Sequence, residues 1–272
     1  MKVAIQGIKG SFHHIVAEQY FGKNIELIEC LSFGEMPDLL LSKKAEVVIM
    51  AIENTIAGAI LPNYALIDDY KLTICGEHHL PIHHNLMALE GQKIEDLEEV
   101  YSHPMALLQC HQFFKKHPHI KLIEDKDTAV VAKRICDKKL KGVGAIASSL
   151  AARTYKLEII APEIQTIKEN ATRFFIITNS DNKSSVSANK ASIKFITSND
   201  SGSLAEVLTI LADHNLNLSK IQSMPVIETP WKYAFFADFV FNNYADYFNA
   251  IHKVKERVEM LQVLGEYNKG KR

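Results

Sequence analysis

The stretch KVAIQGIKGSFHHIVAEQYF, residues 2–21, decides the fold class. It begins as an alternating apolar strand, turns between Gly7 and Gly10, and continues from Ser11 as an amphipathic segment. The same unit recurs downstream. IELIEC (25–30) is followed by SFGEMPDLLLSK (32–43), and EVVIMAI (46–52) by NTIAGAILPNYALI (54–67). A crossing segment, KLTICGEHHLPIHHNLMAL (71–89), interrupts the pattern. It then restarts with EVYS and PMALLQCHQFFKKH, IKLIED and TAVVAKRICDKK, and GVGAIAS and SLAARTYK. LEIIAP (157–162) and TRFFIIT (172–178) close the section. Strand, helix, strand at these lengths predicts parallel α/β layers. The pause predicts two similar lobes, roughly 1–75 with 165–180 and 76–164, separated by a cleft.

A polar, small-residue stretch, NSDNKSSVSANK (179–190), reads as a linker, placed at 181–190 between domains of 1–180 and 191–272. Beyond it the order changes. ASIKFIT is a strand and SLAEVLTILADH a helix with apolar residues at three- and four-residue spacing. LNLSKIQSMPVI and KYAFFADFVF are strands around a turn at Glu228-Thr229-Pro230, followed by the helix ADYFNAIHKVKERV and the strand EMLQVLGEY. This βαββαβ order predicts a small ferredoxin-like domain.

Composition sets the outer limits. At 272 residues, 47% hydrophobic, the chain is long enough for a real core and favours two domains over one. A net charge of −1 gives no basic balance for nucleic acid and no acidic tail. The apolar runs fall short of a membrane span, and the N-terminus lacks the apolar region of a signal peptide. Cys30, Cys75, Cys110 and Cys136 are scattered, which predicts reduced thiols in a cytoplasmic protein.

Open α/β sheets bind ligands beyond the carboxyl ends of their strands. Those junctions hold Gly7, Lys9, Gly10 and Ser11, then Glu53, Asn54 and Thr55, and in the second half Ser102-His103-Pro104, Asp127-Thr128 and Ser148-Ser149. Ser and Thr at such places are ordinarily N-caps. Gathered around one cleft, where helix N-termini attract negative charge, they point to an anion site. Thr172 and Arg173 stand immediately before the apolar run Phe174 to Ile177, and Arg173 offers a planar guanidinium for a carboxylate. Strand alternation forbids both from facing the same ligand. The glycines complete neither a Walker loop nor G-x-G-x-x-G, so a small carboxylate is favoured over a nucleotide. His78, His79, His83 and His84, and the pair His13-His14, lack a zinc-binding spacing and read as cleft-lining hydrogen bonders.

Taken in order, the junctions GIKGSF (7–12), ENTIAG (53–58), LPIHHNLM (80–87), SHPMALLQC (102–110), DTAVVA (127–132), GAIASSLAA (144–152) and NATRFF (170–175) resemble bacterial prephenate dehydratases. The C-terminal GSLAEVLTILADHNLNLSKIQSMP resembles an ACT domain, the amino-acid-sensing module fused to those enzymes. The resemblance implies a two-lobed catalytic domain like a periplasmic binding protein, with prephenate in the cleft. It implies loss of carbon dioxide and water to give phenylpyruvate for L-phenylalanine synthesis, without metal or organic cofactor. Thr172 and Arg173 would be catalytic, with the Thr172 hydroxyl directed at the departing hydroxyl. Ser11, Glu53, Asn54, Thr55, Ser102, His103, Thr128, Ser148, Asn170 and Phe174 would form the substrate site. L-phenylalanine would act at Gly202, Ser203, Leu204, Gln222, Ser223 and Pro225 of an ACT domain that assembles as a homodimer or homotetramer.

The sequence also departs from the family pattern. Ile8, Thr55 and Met105 replace the usual Pro or Glu, Ser and Gln, with Met105 expected in helix packing. Gln222-Ser223-Met224-Pro225 replaces Glu-Ser-Arg-Pro, removing both charges and predicting a weakened response. Arogenate dehydratase is the nearest alternative, and a non-catalytic amino-acid sensor is one from another class.

Overall fold

The computed structural model describes residues 1–179, 188–226 and 229–271. Residues 181–187 of the expected linker, and Glu228 of the expected turn, lie outside the described residues. The elements run β1 (Lys2–Gln6), α1 (Phe12–Phe21), β2 (Glu26–Cys30), α2 (Met36–Leu41), β3 (Val47–Asn54), β4 (Gly58–Ala59), α3 (Leu61–Asp69) and β5 (Thr73–Pro81). There follow β6 (Asn85–Ala88), β7 (Glu99–Ser102), α4 (Pro104–Phe114), β8 (Lys121–Glu124), α5 (Thr128–Lys138), β9 (Val143–Ala147), α6 (Ser149–Tyr155), β10 (Glu158–Ala161) and β11 (Ala171–Thr178). The last part is β12 (Lys190–Ile196), α7 (Ser203–Asp213), β13 (Asn217–Pro225), β14 (Tyr233–Val240), α8 (Tyr244–Lys255) and β15 (Met260–Tyr267).

Two compact units emerge: Met1–Ile60 with His78–Phe174, and Leu61–Glu77 with Phe175–Arg272. One sheet has the order β2-β1-β3-β11-β5, with β4 on β3, and a second has β10-β6-β9-β7-β8. β1 lies parallel to β2 and β3, and β7 parallel to β8 and β9. Parallel strands are covered on both faces, so their sequences read as continuous apolar runs. Val3, Ala4, Ile5, Val48, Ile49 and Met50 are all fully buried.

Three expectations are corrected here. The crossing segment 71–89 is two strands, β5 and β6. Its histidines break the apolar run, and sheet pairing holds the backbone extended where composition alone does not. The stretch 54–67 is not one helix. A short hairpin strand, opened by Gly58 at φ +80°, comes first, and α3 starts only at Leu61-Pro62, where a proline is tolerated. The layers are also not wholly parallel, since β6 runs antiparallel to β9 and β10.

In the second unit the antiparallel sheet β13-β14-β12-β15 has the expected βαββαβ order. α7 and α8 cover one face through Val207, Leu211, Tyr247, Ala250 and Val254 packed on Ile193, Phe195 and Phe239. Alternation sends Lys190, Ser192 and Lys194 of β12 to the other face. There Lys190 pairs with Glu77, Lys194 with Asp68 of α3, and Ser192 bonds Asp238 and Tyr267. The mixed α/β architecture and the ferredoxin-like terminal domain are those read from the sequence.

Candidate active site

Within the first unit, the end of β3 and the start of β11 are tied by one side chain. Asn54 Nδ2 donates to Asn170 Oδ1 at 2.8 Å, Ala171 O at 3.2 Å and Thr172 Oγ1 at 3.0 Å. Its Oδ1 accepts from the backbone N–H groups of Ile56 and Ala57. Thr55 adds a second clamp: its hydroxyl accepts from Ala171 N at 3.0 Å, and its own N–H donates to Ala171 O. Because Asn54 donates to the Thr172 oxygen, the hydroxyl hydrogen is left to point elsewhere. Thr172 is 8% exposed and lines a cavity of about 400 Å³.

Alternation along β11 decides what joins it. Phe174 lines the same cavity, whereas Arg173, buried between them, does not. Its Nη1 lies 3.9 Å from Glu53 Oε2, and Glu53 is likewise absent from the cavity wall. The guanidinium therefore braces β11 from behind.

Three helices begin at this wall. Ser11, Phe12 and His13 come from the start of α1, His103, Met105 and Ala106 from α4, and Lys126, Asp127 and Thr128 from α5. Each helix has ten or eleven residues and turns its positive end toward the cavity. The caps are local. Ser11 Oγ accepts from His14 N, His103 Nδ1 from Met105 N, and Asp127 Oδ1 from Ala129 N and Val130 N. Burial pushes the Asp127 carboxyl above its ordinary range against those two N–H donors. The loop before α1 is lashed down: Ser148 Oγ donates to Gly10 O and Tyr155 OH to Lys9 O, both at 2.6 Å. A Cβ on Gly10, at φ +90°, would come within 2.9 Å of Ala151 Cα, so glycine is required there.

The expected site residues thus divide. Ser11, Asn54, His103, Thr128, Thr172 and Phe174 line the cavity. Thr55, Ser102, Ser148 and Asn170 instead hold the framework, with Ser102 Oγ donating to Ile146 O and Asn170 Nδ2 to Gln109 Oε1. Met105 lines the cavity and is not confined to helix packing, a correction that follows from its place in the first turn of α4. Gln6, His13, His84, Gln109, Lys126 and Asp127 complete the polar wall. Lys126 is marked in the sequence only by its place before the Asp127-Thr128 cap, and Gln109, inside an apolar helix, carries no signal. Among the described residues, no group of three or more His, Cys, Asp or Glu side chains is arranged to hold a metal ion.

Two buried histidines set the cavity's electrostatics. Burial pushes His13 down to about 3 and His84 to about 4, the latter partly opposed by the bond to Gln109. Both are therefore neutral when folded and protonate near 6.5 when unfolded. The unfolded chain binds more protons below that pH, so this stability is complete above 6.5 and is lost as pH falls. Each histidine removes about 1.4 kcal/mol by pH 5.5. Urea-unfolding midpoints should fall between pH 7 and 5.5, and equal midpoints would contradict the burial of these rings.

A family model described as prephenate dehydratase matches residues 3–182. The chain belongs to the prephenate dehydratase family. A second model, the ACT domain, matches residues 191–243. The chain is 34% identical over 273 residues to a bifunctional chorismate mutase/prephenate dehydratase of Aquifex aeolicus, spanning 99% of this chain and 74% of that one. It is 35% identical to arogenate dehydratase 2 of Petunia hybrida, over 98% of this chain and 71% of the relative. The crystal structure of prephenate dehydratase from Staphylococcus aureus superposes with a TM-score of 0.85 at 25% identity, covering 98% of this chain and all of that one.

In the ACT domain of this family member, Gly202 caps α7 at φ +92° and Ser203 Oγ donates to Ser198 O. Ser203 and Leu204 line a cavity of about 120 Å³ with residues 197–200, Lys232, Tyr233 and Phe235. Gln222, Ser223 and Pro225 lie on the edge strand β13, outside that wall.

Proposed function

We propose that the chain converts prephenate to phenylpyruvate, carbon dioxide and water, with Thr172 as the catalytic residue. The ring carboxylate leaves as carbon dioxide, its bonding pair enters the ring, and the C4–O bond breaks. The departing hydroxide takes a proton from solvent and becomes water. Aromatisation drives the reaction, so the protein has to hold a dianion and stabilise one leaving oxygen. The observation that carries this reading is the place of the Thr172 hydroxyl, whose oxygen accepts from Asn54 Nδ2 at 3.0 Å in a cavity wall where three helices begin. A preorganised donor aimed at developing negative charge is the efficient solution. Helix N-termini and Lys126 suit the carboxylates.

The protein is further read as a cytoplasmic homo-oligomer whose ACT domain responds to L-phenylalanine. The exposed edge strand β13 supports the assembly, since an unpaired edge is a ready template for a second copy. Among the described residues no helix is long and apolar enough to cross a membrane. The test is a spectroscopic assay of purified protein in chelator, with prephenate and arogenate in parallel and phenylalanine added. Phenylpyruvate should form from prephenate, and its rate should change with phenylalanine. No turnover of either substrate would refute the reading.

A further inference from the structure

Two buried imidazole nitrogens of residues that line the cavity, His13 Nε2 and His84 Nδ1, have no hydrogen-bond partner among the described residues. His84 is otherwise anchored, its Nε2 against Gln109 Oε1 at 2.9 Å and its backbone N–H on Gln165. His13 is held by rings. It stands edge-on to Phe174, with centroids 4.9 Å apart, and tilted against Phe33 at 5.5 Å. It is 7% exposed, and a buried polar atom left unpaired calls for a partner. Phe174 shares its face of β11 with Thr172, about 7 Å along the strand. A substrate whose hydroxyl meets Thr172 can extend across Phe174 toward this nitrogen.

We propose that His13 is a substrate-positioning residue, its Nε2–H donating to the 2-oxo oxygen of the substrate side chain. The assignment rests on the cavity being a prephenate site. A neutral imidazole suits an uncharged oxygen, while the carboxylates have helix ends and Lys126 available. Burial keeps the ring neutral across the working pH range, so its contribution is directional and not ionic.

His13→Phe keeps the ring and removes the nitrogen; His13→Gln restores a polar group at the same reach. In His13→Phe, KM for prephenate should rise about tenfold with kcat within about threefold, equally at pH 6.5 and 8.5. The parent should bind phenylpyruvate about tenfold tighter than 3-phenylpropionate, which lacks the oxo group, and this preference should vanish in His13→Phe and partly return in His13→Gln. In the ¹⁵N-histidine-labelled parent, the His13 Nε2 resonance should move with phenylpyruvate and not with 3-phenylpropionate. An unchanged preference in His13→Phe, or an unmoved resonance, overturns the proposal while parent turnover stands. A parent inactive on prephenate overturns the functional reading and this one with it.

Discussion

Replacing Thr172 with alanine lowers kcat for prephenate by about 10²–10³ while the melting temperature stays close to the parent's. The hydroxyl oxygen accepts from Asn54 at 3.0 Å, so its hydrogen is left to form a hydrogen bond to the leaving oxygen. Alanine deletes that donor and leaves little else disturbed, because Thr55 and Asn54 also hold the neighbouring backbone. Thr172→Val is the stricter form, since it keeps the branched shape. Serine should retain most of the rate, within about tenfold, because it carries the same donor. If Thr172→Val turns over prephenate within about threefold of the parent, the hydroxyl has no catalytic part.

Replacing Lys190 with methionine destabilises the protein by about 3–5 kcal/mol, since it strands a buried carboxylate. Glu77 and Lys190 are 0% and 3% exposed at the side chain, and the Lys190 ammonium bonds both carboxylate oxygens at 2.9 and 2.7 Å. Gly270 N also donates to Glu77. The pair itself need not be worth that much, because taking both charges out of water is costly. Adding Glu77→Leu to Lys190→Met should therefore recover most of the loss. Chemical unfolding midpoints of the two variants decide it: a single variant as stable as the parent shows that the carboxylate is not stranded.

Much of this is legible in the amino-acid sequence. Strand–helix periodicity gave the layers, and the polar residues at the ends of strands gave Ser11, Asn54, His103 and Thr128 in one wall. Alternation alone separates Thr172 from Arg173. What was hidden has physical causes. A hydroxyl at a helix start reads the same whether it faces a ligand or, like Ser148 and Ser102, holds a backbone carbonyl. Nor can a sequence show that Gln109 Oε1 accepts from both His84 and Asn170, because those partners are brought together only by folding. The two strands in 71–89 were missed because cross-strand pairing, not local preference, makes them.

The side-to-side parity of β11 carries a consequence for how this segment can vary. Asn170, Ala171 and Thr55 pin the strand's phase through Ile82 N to Asn170 O at 2.7 Å and Thr55 N to Ala171 O at 2.9 Å. One residue inserted between those pins and Phe174 would turn every later side chain to the opposite face, bringing the guanidinium to the face that had carried the alcohol. Residues 167–169, by contrast, lie between Thr166, whose N–H donates to Gln109 O, and the Asn170 pin, and can absorb length changes. Lineages should therefore tolerate gaps there and none in the four positions that follow.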